Sequence, residues 1–208
     1  MNRPLLAAVV FAMSPYVFAE QGALHDPYTG GSAEAGAAKA AVCVACHGPG
    51  GNGAISPEWP KLAGQSSAFV VKQLKAFKSA QRKNPVMMGQ VANLSEADMN
   101  DLGAYFAAQK PAPGVGSKDS ITLAEKLYRA GDAARSLPAC GACHGPAGAG
   151  VQGAKYAQIG GQNARYTEAQ LKAYRSGERT TGPMMLGIAS KLSDAEIAAL
   201  SSYIAGLQ

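Results

Sequence analysis

The stretch Cys43-Val44-Ala45-Cys46-His47 returns as Cys140-Gly141-Ala142-Cys143-His144, and the two copies together use all 4 cysteines of the chain. Thiols three residues apart share one face of a helical turn, so both add to the two vinyl groups on one edge of a haem. The histidine that follows reaches the iron as an axial ligand. A C-x-x-C-H run is therefore read as a site of covalent haem attachment, with Cys43, Cys46, Cys140 and Cys143 as thioether donors and His47 and His144 as iron ligands. Two rival readings are weaker. Disulfides suit four cysteines in an exported chain and zinc suits two C-x-x-C pairs, but neither explains a histidine directly after each pair.

Outside the motif the repeat continues. Gly64, Gln65, Gln73, Leu74, Ser79 and Arg82 return 97 residues later as Gly161, Gln162, Gln170, Leu171, Ser176 and Arg179. After one inserted residue, Pro85, Met87, Leu94, Ser95 and Tyr105 return 98 residues later as Pro183, Met185, Leu192, Ser193 and Tyr203. No stretch alternates apolar and polar residues over strand length. The prediction is an all-α fold of two tandem, similar domains, each wrapped around one covalently bound haem. The first spans residues 20–110 and the second 119–208, joined by a Pro/Gly linker over 111–118. Each half is short for an independent core, so haem should supply much of the apolar volume and the apoprotein should fold poorly.

Helix signals fill in the domains. Ser32 caps an alanine-rich helix predicted to run into Cys43 and His47, Ser66 caps a second, and Ser95 with Asp98 makes a capping box for a third, with Met99 in its buried stripe. In the second half Thr122 and Glu125 form a capping box ahead of an apolar face of Leu123, Leu127 and Ala130, and Ser193 with Glu196 caps the last helix. Residues 20–31 read as a flexible arm, and residues 81–86 as a loop ending at Met87-Met88.

The sixth iron ligand decides the chemistry. Of 3 histidines, only His25 in the arm remains, so two bis-histidine haems are excluded within one chain. Methionine fits: Met87 and Met185 alone keep register with both the preceding proline and the following Leu-Ser, leaving Met88 and Met184 as the alternatives. Histidine plus a thioether saturates the iron and favours the ferrous state, which points to outer-sphere electron transfer and not to an enzyme. Arg82 and Arg179 are weaker signals, read either as propionate partners or as solvated charge; Trp59 and Tyr156 are read as propionate donors or packing residues.

Arg3, an apolar run over residues 5–13 and small residues near Ala19 read as a secretory signal peptide over 1–19, too short to span a bilayer. The net charge of +5 is scattered, without a basic run, which argues against nucleic acid.

Two C-x-x-C-H domains of equal size with Gly-Gln, Gln-Leu, Met and Leu-Ser recurring in each resemble the cytochrome c4 family, diheme class I cytochromes c of bacterial periplasms, over residues 32–208. That resemblance implies Met87 and Met185 at the axial positions, two haem c groups, two domains facing across a pseudo-twofold axis with propionates near their interface, and a periplasmic location. It also implies a membrane terminal oxidase as electron acceptor and a quinol-oxidising complex or a dehydrogenase as donor. An electron-accepting subunit of a flavocytochrome sulfide dehydrogenase is the second reading; a diheme peroxidase, which needs a spare histidine and a longer chain, is the third. One departure stands out. Pro60-Lys61-Leu62 becomes Ala157-Gln158-Ile159, so a role for Pro60 or Lys61 in haem packing need not be shared.

Overall fold

A computed structural model of the chain describes residues 25–53, 55–118 and 121–207; the predicted signal peptide lies outside them. Among the described residues the elements are helical, and the extended pairings are three isolated antiparallel bridges. The first half contributes α1 (Ala33–Lys39), α2 (Ala41–His47), α3 (Ser67–Lys78), α4 (Pro85–Val91) and α5 (Glu96–Ala108). The second contributes α6 (Ile121–Ala130), α7 (Cys140–His144), α8 (Ala164–Ser176), α9 (Pro183–Ala189) and α10 (Asp194–Gly206). No described helix is long and apolar enough to cross a membrane.

In the first half the predicted helix into the haem motif divides at Ala40, which is 2% exposed, so α1 and α2 meet at a corner. Packing sets that corner. Helix α1 lies so close on α5 that a Cβ on Gly36 would stand 2.1 Å from the Asp101 carbonyl oxygen. Lys39 then pairs with Asp98 (2.9 Å) and Asp101 (2.5 Å). Residues 25–31 are not the free arm expected from their composition. His25 bridges Ser32, and the Asp26 carboxylate accepts from Thr29 N (2.8 Å) and from Ser67 Oγ (2.9 Å) on α3, which pins the turn to the domain.

The second half reaches its motif by another path. Helix α6 ends at Gly131, a 3-10 turn over Ala133–Arg135 follows, and an Asp132–Leu137 bridge turns the chain into α7. The described part of α6 begins before Thr122, so Thr122 lies inside the helix, and Glu125 pairs with Arg129 at 2.9 Å instead of closing a capping box. Its buried stripe is Ala124, Leu127 and Tyr128, leaving Leu123 45% exposed. Tyr128 explains the rotation: the fully buried ring brings its hydroxyl to the Gly145 carbonyl at 2.7 Å, a contact unavailable to a leucine. The two other predicted capping boxes form as expected, Ser95 with Asp98 and Ser193 with Glu196.

Both halves carry their own core. In the second, Leu127, Tyr128, Leu171, Ile197, Leu200 and Ile204 pack together, with α10 against α6 and α8. The first is smaller, built on Ala40, Val70, Leu102 and Phe106. The segment between them is docked, not a loose tether: the Asn52 amide donates to Lys110 O (2.8 Å) and accepts from Ala112 N (2.6 Å), while Ser117 N donates to Ser202 Oγ (2.8 Å).

The halves face each other across a seam that repeats the sequence offset. Gln65 donates to Gln158 O and accepts from Gln158 N, both at 2.8 Å; its partner Gln162 donates to Lys61 O (2.9 Å) and accepts from Lys61 N (2.8 Å). Each glutamine thus closes a small ladder on the other half's loop, as the recurring Gly-Gln pair requires of a pseudo-twofold arrangement.

Candidate haem-binding sites

The two C-x-x-C-H turns are short helices that end at glycine. Gly48 and Gly145 follow the histidines with φ of 78° and 80°, a region that any other residue enters at a cost. The chain thereby turns away immediately after each imidazole. His47 Nδ1 lies 2.8 Å from Pro60 O and His144 Nδ1 lies 2.8 Å from Ala157 O. A carbonyl only accepts, so each Nδ1 carries the proton and donates it, leaving the Nε2 lone pair free for a metal. Burial lowers the pKa of both imidazoles, partly offset by that backbone bond, which keeps the neutral, ligating form.

All four cysteines are free thiols, partly buried. Cys43 and Cys140 sit against the cores of their halves, and burial pushes the Cys140 thiol up to about 11 and raises Cys43 as well. In each helix the two sulfurs stand three residues apart on one face, beside the histidine. Among the described residues no group of three or more His, Cys, Asp or Glu side chains gathers as a metal site.

The candidate methionines are on helices, where the sequence suggested the end of a loop. Proline explains it: Pro85 and Pro183 occupy the first turn of α4 and α9, where a missing N–H costs nothing and a fixed φ helps. Asn84 caps α4 by accepting from Met87 N at 2.9 Å, whereas α9 starts from Gly182 without a side-chain cap. In the second half exposure separates the pair: Met184 is 57% exposed, and Met185 packs on the core. Met87 and Met88 are both half-buried.

Several residues of these sites are invisible to side-chain patterns. The histidines are oriented by the backbone carbonyls of Pro60 and Ala157, so the departure between the halves at that position is harmless: the shared feature is an oxygen every residue has. Arg82 and Arg179 are not solvated charges. Arg179 is 6% exposed and donates to Gln170 (2.7 Å) and Gln73 (2.9 Å), while Arg82 donates to Gln73 (2.8 Å), Gln170 (2.8 Å) and Tyr166 (3.0 Å). The recurring Gln-Leu pairs were the available signal. Trp59 offers its carbonyl to Asn163 across the seam at 2.7 Å, and the Tyr156 ring lies 6.5 Å from the His144 ring.

Two imidazoles with free Nε2 atoms, His47 buried and His144 partly buried, each beside a pair of thiols, fit two covalently held haems and define a tandem c-type cytochrome. The cytochrome c family model matches residues 33–110 and 124–208. The chain is 44% identical over 183 residues to cytochrome c4 of Pseudomonas aeruginosa, covering 86% of this chain and 90% of that protein. Crystalline reduced cytochrome c4 from Pseudomonas stutzeri superposes with a TM-score of 0.82 at 43% identity, covering 86% of this chain and all of that one (100%). A thiosulfate dehydrogenase electron acceptor from Stutzerimonas stutzeri is 36% identical over 210 residues, covering 98% and 94%. The chain belongs to the cytochrome c4 family, and with it carries two c-type haems and transfers electrons.

Proposed function

We propose that the protein is a periplasmic one-electron carrier whose two irons are both held by histidine and methionine, His47 with Met87 and His144 with Met185. Cys43 and Cys46 would anchor the first haem as thioethers, and Cys140 and Cys143 the second. When bound, each haem supplies a ferric/ferrous couple. The chain's own residues do the rest. The carbonyls of Pro60 and Ala157 hold the ring protons at Nδ1 and aim Nε2; the prolines and caps of α4 and α9 hold the methionine helices. With two protein ligands per iron no position stays open to a substrate, so the reading is of a carrier and not a catalyst.

The observation that carries this reading is the matched pair of imidazoles, each hydrogen-bonded through Nδ1 to a backbone carbonyl, each with an in-register methionine in a proline-started helix of the same half. Residues 1–19 act in it as an export signal, and a membrane terminal oxidase as acceptor, with a quinol-oxidising complex or a dehydrogenase as donor. The purified holoprotein should contain two haems, show a low-spin ferric spectrum with the weak far-red band of methionine ligation, and bind no carbon monoxide when reduced. A high-spin, ligand-accessible haem in the native protein would overturn it.

A second reading, an electron-accepting partner of a dehydrogenase, is favoured by the similarity to a thiosulfate dehydrogenase electron acceptor. Rapid mixing separates the two. A carrier for respiration passes electrons to oxidase-containing membranes at a rate that sustains oxygen uptake, whereas the second role requires co-elution with a dehydrogenase from the source cell.

A further inference from the structure

The seam holds a cluster that the carrier reading does not use. Arg82 and Arg179 both donate to the same oxygen of Gln73 (2.8 and 2.9 Å) and to the same oxygen of Gln170 (2.8 and 2.7 Å), which brings the two guanidiniums within ~6 Å of each other. Each also stacks on an aromatic ring of its own half, Arg82 on Phe77 at 4.5 Å and Arg179 on Tyr174 at 4.6 Å. Like charges this close are costly in a buried place. Yet among the described residues neither arginine forms an ion pair, and their recorded acceptors are neutral amides and hydroxyls. The Gln73 amide nitrogen is itself buried without an acceptor among the described residues, adding a further positive end. Burial lowers the pKa of the Arg179 guanidinium and the nearby Arg82 adds to that, partly offset by Tyr166, whose own phenol the two arginines push down.

The chain ties the cluster to both candidate methionines. Arg82 precedes Met87 by five residues and Arg179 precedes Met185 by six, which caps the Cα separations at ~18 and ~22 Å. On the histidine side, the seam ladders bind Lys61 and Gln158, each next in sequence to the carbonyl that orients an imidazole. A fixed positive charge favours the ferrous state over the ferric, because reduction removes one positive charge from the site.

We propose that Arg82 and Arg179, locked together by Gln73 and Gln170, are a single potential-setting element shared by the two domains, raising the reduction potential of both haems at once. The proposal rests on the two-haem carrier reading. Its distinguishing mark is a cross-domain effect: one arginine, belonging to one half by sequence, acts on both centres. These are positioning charges and touch no reacting atom. Carboxylates brought by the haems themselves leave the sign unchanged, since removing a cation beside them lowers the potentials too.

The test is a spectro-electrochemical titration of the holoprotein and of R179Q, R179K and R82Q. In R179Q both midpoints should fall, the ferrous-to-ferric ratio of each haem at a fixed applied potential dropping ~3- to 10-fold. R179K keeps the charge and should hold both ratios close to the native ones. R82Q, at a half-buried site more tolerant of change, should repeat the two-haem shift if R179Q folds poorly. The shift should survive high salt, since buried charges are little screened. A fall at one haem only would overturn the sharing, and equal shifts in R179Q and R179K would replace charge with mere geometry. Failure of the carrier reading shows separately, as a high-spin native spectrum before any variant is made.

Discussion

The two halves present the same haem-binding turn from different scaffolds. In the first, α1 passes directly into α2 at the Ala40 corner and is clamped on α5 by the absence of a side chain at Gly36 and by Lys39. In the second, α6 stops, the chain loops through a 3-10 turn, and a larger core with Tyr128 at its centre carries α7. What is held constant is the C-x-x-C-H turn, the glycine after it, the carbonyl on the ring nitrogen, and the glutamines of the seam. The difference teaches that the repeat conserves what faces the haem and the partner domain. The outer helices are free to reach that arrangement by backbone contact in one half and by aromatic packing in the other.

The largest expected break in the comparison is Gly36→Ala. Its methyl meets backbone at 2.1 Å and has no flexible neighbour to displace, so the first domain should lose ~3 kcal/mol or more in denaturant unfolding of the holoprotein. The position 97 residues on is Ala133, in the 3-10 turn ahead of α7 and not in a helix packed as α1 is. Next come the seam glutamines. Gln65→Ala and Gln162→Ala each strip a backbone N–H and C=O of the opposite half, costing ~1–3 kcal/mol per group left unmet. The two should cost the same, within error, if the pseudo-twofold seam is energetically symmetric; unequal losses would show that one ladder dominates. Ser95→Ala and Ser193→Ala should each cost ~1 kcal/mol through the lost caps of α5 and α10.

Acid distinguishes the halves by a smaller margin. Asp98 is held below the usual carboxylate range by hydrogen bonds from Ser95 and then Lys39, and Asp101 by Lys39. In the second half Arg135, at 2.6 Å, holds Glu196 down to about 2. Depressed carboxyls contribute stability that is fully present above their unfolded values, ~3.9 for Asp and ~4.3 for Glu, and lost as pH falls through the folded ones. Stability should therefore be flat in this respect above pH ~5 and decline below ~4. Lys39→Met should weaken that decline in the first domain only and Arg135→Met in the second, the capping bonds from Ser95 and Ser193 remaining, with modest effects because the pairs are solvent-screened. Smallest of all, Leu123→Gln should change stability by no more than ~0.5 kcal/mol, since that side chain faces water.

Much of this was legible in the residues. Fold class, repeat, haem motif and two capping boxes follow from spacing, because helix periodicity and caps are local rules. Thr122 and Leu123 mislead for a tertiary reason: Tyr128, at the same helical spacing, wins the buried face by filling more volume and finding a hydroxyl partner. The orienting carbonyls of Pro60 and Ala157 leave no side-chain signature at all. Arg82 and Arg179 are the opposite case, visible as a repeated pair, but their burial depends on a domain contact that no local window contains. Residues 25–31 look mobile by composition, yet one carboxylate, Asp26, ties them down.

The central claim is that each half ligates its own iron with the in-register methionine, and the far-red band of the ferric holoprotein reads it directly. Met87→Ala and Met185→Ala should each remove about half of the band and turn one haem high-spin, while Met88→Ala and Met184→Ala leave it whole. Loss of the band in Met88→Ala or Met184→Ala, or its survival in Met87→Ala or Met185→Ala, would contradict the account.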